Sequence, residues 1–449
     1  MSISFPSLVT RNAGALPSWS TKLATDIGIQ RNRTCLFFLY KISTTHTSCS
    51  TNCSNEEKKK VIVISGPTGA GKTKLALDLA KKLDGEIISA DSVQIYRGLN
   101  VGSAKPTVAE QNSVPHHLIN ILNPSEEYSA GQYFEDARKA ANEVISKGKV
   151  PLVTGGTGLY LRWFIYGKPE VPKSSLDVTS QVCSELKHLQ EKGMWDEAVE
   201  LVVKAGDPKA RTLPPNNWYR LRRSLEIIRS SGFPPSAFAV PYDSFKEQTA
   251  LEPRSSHPAG KDLDYNFICL FLASPRVDLY RAIDLRCEEM LRDTEGLLSE
   301  ASWLLDIGLR PNLNSATRAI GYRQAMEYLL ECRNCRGRST ADSFNAFLYE
   351  FQKASRNFAK RQMTWFRNEL IYHWIDASSP LESVVDFICS SYNEQNEKLE
   401  VPKHLLMTKD ANVRKENYEL KSYRSQYMIF RNESDFRHVL DWVRRTQQG

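Results

Sequence analysis

The octapeptide Gly66-Pro67-Thr68-Gly69-Ala70-Gly71-Lys72-Thr73 is where this chain most plainly carries chemistry. It fits the spacing G-x-x-x-x-G-K-[ST]. Glycines at those places let backbone N–H groups turn inward on an anion, and the start of the following helix adds partial positive charge. Lys72 supplies a full charge, and the Thr73 hydroxyl can sit on Mg²⁺. The loop reads as a polyphosphate cradle; the plainer alternative is a glycine turn that holds no ligand. Asp91, in Ser89-Ala90-Asp91-Ser92-Val93-Gln94-Ile95-Tyr96, is the leading candidate base. Beside a bound diphosphate it could hold Mg²⁺ through water, or accept a proton from an incoming nucleophile. The plainer alternative is a turn former or helix cap. A nucleotide-hydrolysing loop of this kind usually has a neighbouring strand that ends in a carboxylate for the metal. Here Val150-Pro151-Leu152-Val153-Thr154 ends in glycines, and no N-K-x-D guanine reader occurs. Those absences argue against a switch GTPase or an ATPase motor. They leave room for a diphosphate that belongs to something other than a nucleotide.

The flanking elements suit these groups. Val61-Ile62-Val63-Ile64 reads as a buried parallel strand and Lys74 to Leu83 as a helix with an apolar face. Glu86 to Ser89 reads as a second strand, Glu135 to Ser146 as a helix and Val150 to Thr154 as another strand. This alternation predicts an α/β fold, a P-loop core whose parallel sheet is flanked by helices. Ligands of such sheets sit beyond the carboxyl ends of the strands, so Asp91 and Thr157 are expected to face the same crevice as the loop. Strands stop between about Leu176 and Gly232. One of the three helical stretches there runs from Asn216 to Ser231, with Trp218, Leu221, Leu225 and Ile228 on one face, and Gly232 with Pro234-Pro235 ends it. This predicts a helical insertion. Residues 241–262 read as a loop, and Phe267 to Leu272 as a further buried strand. A long helix from about Asp342 to Tyr372 carries Phe344, Phe347, Phe351, Phe358 and Trp365 on one side and Lys353, Arg356, Lys360 and Arg367 on another. The basic stripe is either a partner-binding face or a solvated one. Beyond Ala377 the chain is polar and mixed in charge, with a last helix around Phe436 to Trp442 that Ser434 could cap; no chemistry is assigned to it.

The chain has 449 residues, a 41% hydrophobic and 25% charged composition and a net charge of +7, which describes a globular protein of several domains, mildly basic and compatible with a polyanionic partner. Nine cysteines, scattered and odd in number, read as reduced thiols. The apolar run Leu36 to Tyr40 is far short of the roughly 20 residues that span a bilayer, so no membrane association is expected. Residues 1–55 are rich in Ser and Thr, contain Arg11, Lys22, Arg31, Arg33 and Lys41, and have Asp26 as their only acidic side chain. This composition resembles a plastid or mitochondrial transit peptide, with a disordered cytoplasmic tail as the alternative. The expected organisation is 1–55 transit-peptide-like, 56–170 the first part of the core, 171–250 the helical insertion, 251–376 core completion and 377–449 an extension.

Several motifs in order resemble those of the tRNA dimethylallyltransferases, the IPP transferase family, across residues 60 to 376. They are the P-loop, S-A-D-S-V-Q-I-Y at 89–96, V-G-S-A-K-P at 101–106, G-G-T-G-L-Y at 155–160, R-A-I-G-Y-R-Q at 318–324 and K-R-Q-M-T-W-F-R at 360–367. The resemblance implies transfer of a dimethylallyl group from dimethylallyl diphosphate to N6 of adenosine 37 in the tRNA anticodon loop, with Mg²⁺ as cofactor. By matching position, Asp91 is the base, Lys72 and Arg318 are cations on the diphosphate, Thr73 is the metal-side ligand and Thr157 helps hold the reacting centre. For Arg318 the alternative is a surface ion pair, and for Thr157 a core hydroxyl bonded to backbone. The family's recognition of the loop maps to Asp91, Ser92, Val93 and Gln94, and to Asn217, Trp218, Tyr219, Arg220 and Leu221 on the insertion, with Arg222, Arg223, Lys353, Arg356, Lys360 and Arg367 available for phosphates. A monomer is expected. Cys332-Arg333-Asn334-Cys335 has no later H-x₃₋₅-H, so no zinc finger is expected and the chain looks bacterial-like with added ends. His116-His117 reads as surface or packing histidines in a loop. The alternatives are an adenylate isopentenyltransferase acting on free AMP, ADP or ATP, a small-molecule P-loop kinase, and a non-catalytic tRNA binder.

Overall fold

Four consecutive β-branched residues, each fully buried, make the strand β1 (Lys60–Ser65) the centre of the fold. A computed structural model describes residues 58–243, 263–394, 399–407 and 413–448; the transit-peptide-like segment and residues 244–262 of the expected loop lie outside the described residues. The chain continues through α1 (Lys72–Lys82), β2 (Gly85–Ser89), α2 (Val108–Ser113), β3 (His116–His117), α3 (Ala130–Ser146), β4 (Val150–Gly155) and α4 (Gly158–Tyr166). The insertion follows as α5 (Leu176–Glu191), α6 (Trp195–Ala205) and α7 (Trp218–Ser231). The core resumes with β5 (Asn266–Ala273), α8 (Arg276–Arg292), α9 (Leu297–Asp306), α10 (Tyr322–Asn334), α11 (Ala341–Arg367) and β6 (His373–Asp376), and α12 (Leu381–Asn393), α13 (Val413–Ser422) and α14 (Glu433–Thr446) end it.

The six strands pair in parallel in the order β3-β2-β4-β1-β5-β6. Parallel pairing needs crossovers, and helices therefore cover both faces. Leu75 and Leu79 of α1 pack on one face with Val384, Val385 and Ile388 of α12. The other face packs on α3, α4, α8 and α11. The insertion buries a core of its own, with Val182, Leu186, Val202, Leu221 and Leu225 at its centre. No described helix is long and apolar enough to cross a membrane.

Three expectations shift. His116-His117 is a two-residue edge strand, not a loop, with Ile87 opposite His116; two residues are too short a run to show an alternating pattern. The helix expected from Glu135 starts at Ala130, because Ser129 and Gln132 cap its first turn reciprocally. The last helix is capped by Asn432 with Asp435, not by Ser434. That helix buries Phe436, Val439, Leu440 and Val443 in the main core, with Phe436 stacked 5.0 Å from Phe344. The C-terminal extension is thus part of the structure that holds the site.

Candidate active site

The glycine loop closes over the carboxyl end of β1. Gly69 and Gly71 both sit at φ +83°, where a side chain is strained, and Gly71 precedes the first turn of α1. The first N–H groups of that helix have no intrahelical acceptor and are available to an anion in the loop. Lys72 Nζ donates to the carbonyls of Gly66 and Pro67 at 2.9 and 2.8 Å. Its pKa is pushed down to about 8, first by burial and then by the charge of Arg286, with Asp91 pulling the other way.

Arg286 is the residue that the sequence reading missed. It comes from the middle of α8 and borders both the main cavity, of about 440 Å³, and a recess of about 120 Å³ that holds Lys72, Thr73 and Asp91. Burial lowers its pKa too. No carboxylate pairs with it among the described residues. Lys72 and Arg286 are half-buried and line one recess with the carboxylate of Asp91, so an anion entering there meets two cations. Arg318 borders the same cavity from another side, with its Nε donating to the Asn312 carbonyl at 3.2 Å.

Asp91 forms a turn and also borders the cavity. Its Oδ1 accepts from the Val93 and Gln94 N–H groups at 2.8 and 3.4 Å, which is the turn-forming reading. Oδ2 has no partner among the described residues, and the side chain borders the cavity. Thr157 does likewise: its Oγ1 accepts from Ser92 N at 3.2 Å, and its own hydroxyl proton remains available to the cavity. Opposite this polar wall stands an apolar one of Ile283, Cys287, Met290, Ile320, Phe351 and Phe358.

Gln362 locks the two glycine loops together. Its Oε1 accepts from Thr68 N and its Nε2 donates to Gly156 O, both at 3.0 Å. A Cβ on residue 156 would lie 2.2 Å from that Nε2. Gly156→Ala should therefore expel the amide, cost about 1–3 kcal/mol of stability and weaken donor binding; thermal unfolding and the donor KM read both. The quoted K-R-Q segment contains Gln362, but its spacing gives no hint of the partner. Tyr160, stacked on Tyr133 at 4.2 Å, also walls the cavity.

The expected RNA-contacting residues divide. Ser92 and Val93 border the cavity, but the Gln94 amide is held inside, accepting from Ser89 Oγ at 3.0 Å and donating to the Ser103 and Ala104 carbonyls. Leu221 is fully buried in the insertion's core and cannot touch RNA, which corrects its assignment. Trp218 packs edge-on against Trp195 at 5.1 Å, and Asn217 caps α7. Tyr219 lies beside Ser129 and Tyr160, where burial raises its pKa, and so brings the insertion to the cavity. Arg220 is exposed, whereas Arg222 and Arg223 pair with Glu226. On α11, Arg356 leaves the basic stripe: it is buried against Asp284, and Lys353 pairs with Glu350. Lys360 and Arg361 remain on a surface groove with Trp365, and Arg361 also reaches the cavity; Arg367 follows a turn on, its Nε buried and unpartnered.

Comparison with known proteins agrees with this geometry. A family model described as IPP transferase matches residues 94–369, and one described as isopentenyl transferase matches residues 59–126. The tRNA dimethylallyltransferase 9 of Arabidopsis thaliana is 56% identical over 415 residues, 89% of this chain and 90% of that protein. A tRNA dimethylallyltransferase of Protochlamydia amoebophila is 37% identical over 339 residues, 75% of this chain and 90% of that protein. A solved eukaryotic dimethylallyltransferase acting on tRNA shares the fold, with a TM-score of 0.54 at 24% identity over 86% of this chain and 85% of that one. The chain belongs to the IPP transferase family, that of the tRNA dimethylallyltransferases.

Proposed function

We propose that this chain transfers the dimethylallyl group of dimethylallyl diphosphate to N6 of adenosine 37 in the tRNA anticodon loop. The observation that carries the reading is the recess lined by the half-buried cations Lys72 and Arg286 together with Thr73 and Asp91. In the reaction the allylic C1–O bond breaks, the N6–C1 bond forms and N6 loses a proton. Negative charge grows on the departing diphosphate, where the N–H groups of Gly69 to Thr73, Lys72 and Arg286 stabilise it, with Arg318 as a further cation. The adenine amine is a weak nucleophile because its lone pair is delocalised into the ring. Asp91 Oδ2 accepts its proton, and Thr157 donates to the reacting centre.

Mg²⁺ fits the donors present. Thr73 and Asp91 border one recess, and hard oxygen donors beside a diphosphate are what this ion takes. Bound there, it would neutralise charge on the leaving group. The base must leave its stack to reach Asp91, which is easier from a single-stranded loop. Tyr219 and Arg220 meet that loop on the insertion side, and Lys360, Arg361 and Arg367 meet its phosphates. Lys360→Ala should reduce the salt slope of tRNA binding by about one, as filter binding at graded salt would measure. The composition of residues 1–55 supports import into a plastid or mitochondrion, which fusion of that segment to a fluorescent protein would test.

Incubation with labelled donor, tRNA and AMP in one mixture tests the acceptor. Label is expected on a tRNA adenosine. Label on AMP alone would establish the free-nucleotide enzyme, and phosphate transfer in a parallel mixture with ATP and no prenyl donor would establish the kinase.

A further inference from the structure

Helix α8 faces two ways. Ile283, Arg286, Cys287 and Met290 border the cavity. Asp284 and Glu288 point away from it and are 2% and 0% exposed. Buried carboxylates persist only where donors satisfy them. Asp284 accepts from Arg356 of α11 and, at 2.8 Å, from the Tyr423 hydroxyl. One oxygen of Glu288 accepts from three successive N–H groups, those of Met428, Ile429 and Phe430, at 3.0, 2.6 and 3.0 Å, and the other accepts from Met428 N at 3.1 Å. Successive N–H groups that converge in this way form an anion nest, and the anion here is the chain's own. His438 then joins α14 to the last carbonyl of α8, at Arg292, over 2.8 Å. All these C-terminal partners lie past residue 369, where the family match ends.

We propose that residues 423–443 are a brace that sets the rotation of α8, with Glu288 as the positioning residue for Arg286. The inference rests on Arg286 being a diphosphate ligand. Two residues along a helix is about 200° around its axis, so Glu288 and Arg286 take opposite sides. Without the Glu288 carboxylate the nest has no anion, residues 428–430 lose their hold on α8, and the helix is free to turn. The same turn withdraws Arg286 from the cavity. The extension thus tunes the grip on the leaving group without touching substrate.

The test uses the full-length chain, and measures the donor KM and the inhibition constant of inorganic pyrophosphate at saturating tRNA, and the KM for tRNA at saturating donor. Loss of one charge-assisted contact predicts that Glu288→Ala raises both about tenfold and leaves the KM for tRNA within about twofold. Glu288→Gln, which keeps one acceptor for the nest, should fall between. In an Arg286→Gln background, Glu288→Ala should raise the inhibition constant no further. If Glu288→Ala does not fold, Glu288→Gln and Phe436→Ala, which loosens the segment and keeps both carboxylates, answer the same question. A lower Tm with an unchanged pyrophosphate constant overturns the brace. If Arg286→Gln itself leaves that constant unchanged, the ligand reading of Arg286 fails; if it raises the constant while the Glu288 and Phe436 variants do not, only the brace fails.

Discussion

Asp91→Ala slows transfer to tRNA by about 10²–10⁴-fold, the range expected for a positioned general base, and changes tRNA affinity little. Two functions of Asp91 must be separated for this result to mean what it says. Its Oδ1 holds the turn through Val93 N at 2.8 Å, so Ala loses a structural bond as well as a base. Asp91→Asn separates them, because an amide oxygen can accept from Val93 N but takes no proton from N6. The Asn variant should recover the Tm lost by Ala and remain as slow. Single-turnover rates at saturating tRNA, beside tRNA affinity and thermal unfolding, give all three quantities. Equal losses of rate and tRNA affinity would make Asp91 a binding residue. Full activity in Asp91→Asn would remove proton transfer at this position from the mechanism.

Arg286→Gln is expected to lower kcat/KM for the donor by about 10²–10³-fold, as when one donor is taken from a developing anion. Its effect on the unliganded protein should run the other way. Arg286 depresses the Lys72 pKa, and the two cations share one recess. Removing one relieves the other, so the Tm of the free protein should stay level or rise. Lys72→Ala should lose activity in the same range. The double variant should lose less than the product of the two, because both cations act on one diphosphate. A large fall in Tm with Arg286→Gln would show a structural cation instead. Strictly multiplicative losses would place the two cations on different charges.

The legible parts of this molecule were those governed by local physics. The glycine loop, the buried strands around it and Asp91 announce themselves by spacing and periodicity, and the order of motifs pointed to the family. Arg286 was not legible, because in Asp284-Leu285-Arg286-Cys287-Glu288 its charge looks like that of any exposed helical face. Only the burial of its neighbours and the direction of α8 turn it into a site residue. Arg356 fails in the opposite sense: it has the same helical spacing as Lys360, yet Asp284 from a helix distant in sequence captures it. Leu221 shares a motif segment with Tyr219 and Arg220, but helical geometry turns it inward. The extension looked inert because its anchors are backbone N–H groups, which every sequence has, and a carboxylate 140 residues away.

The central claim is that the glycine cradle grips the diphosphate of an allylic donor and releases it when adenosine takes the C5 group. One reaction tests it: donor labelled in its carbon chain, tRNA and Mg²⁺, with and without ATP, followed for label in tRNA and for free pyrophosphate. The account predicts one pyrophosphate per labelled adenosine, no dependence on ATP, and loss of both products in Lys72→Ala. Label that enters tRNA only when ATP is supplied, or pyrophosphate that appears without label in tRNA, would contradict it.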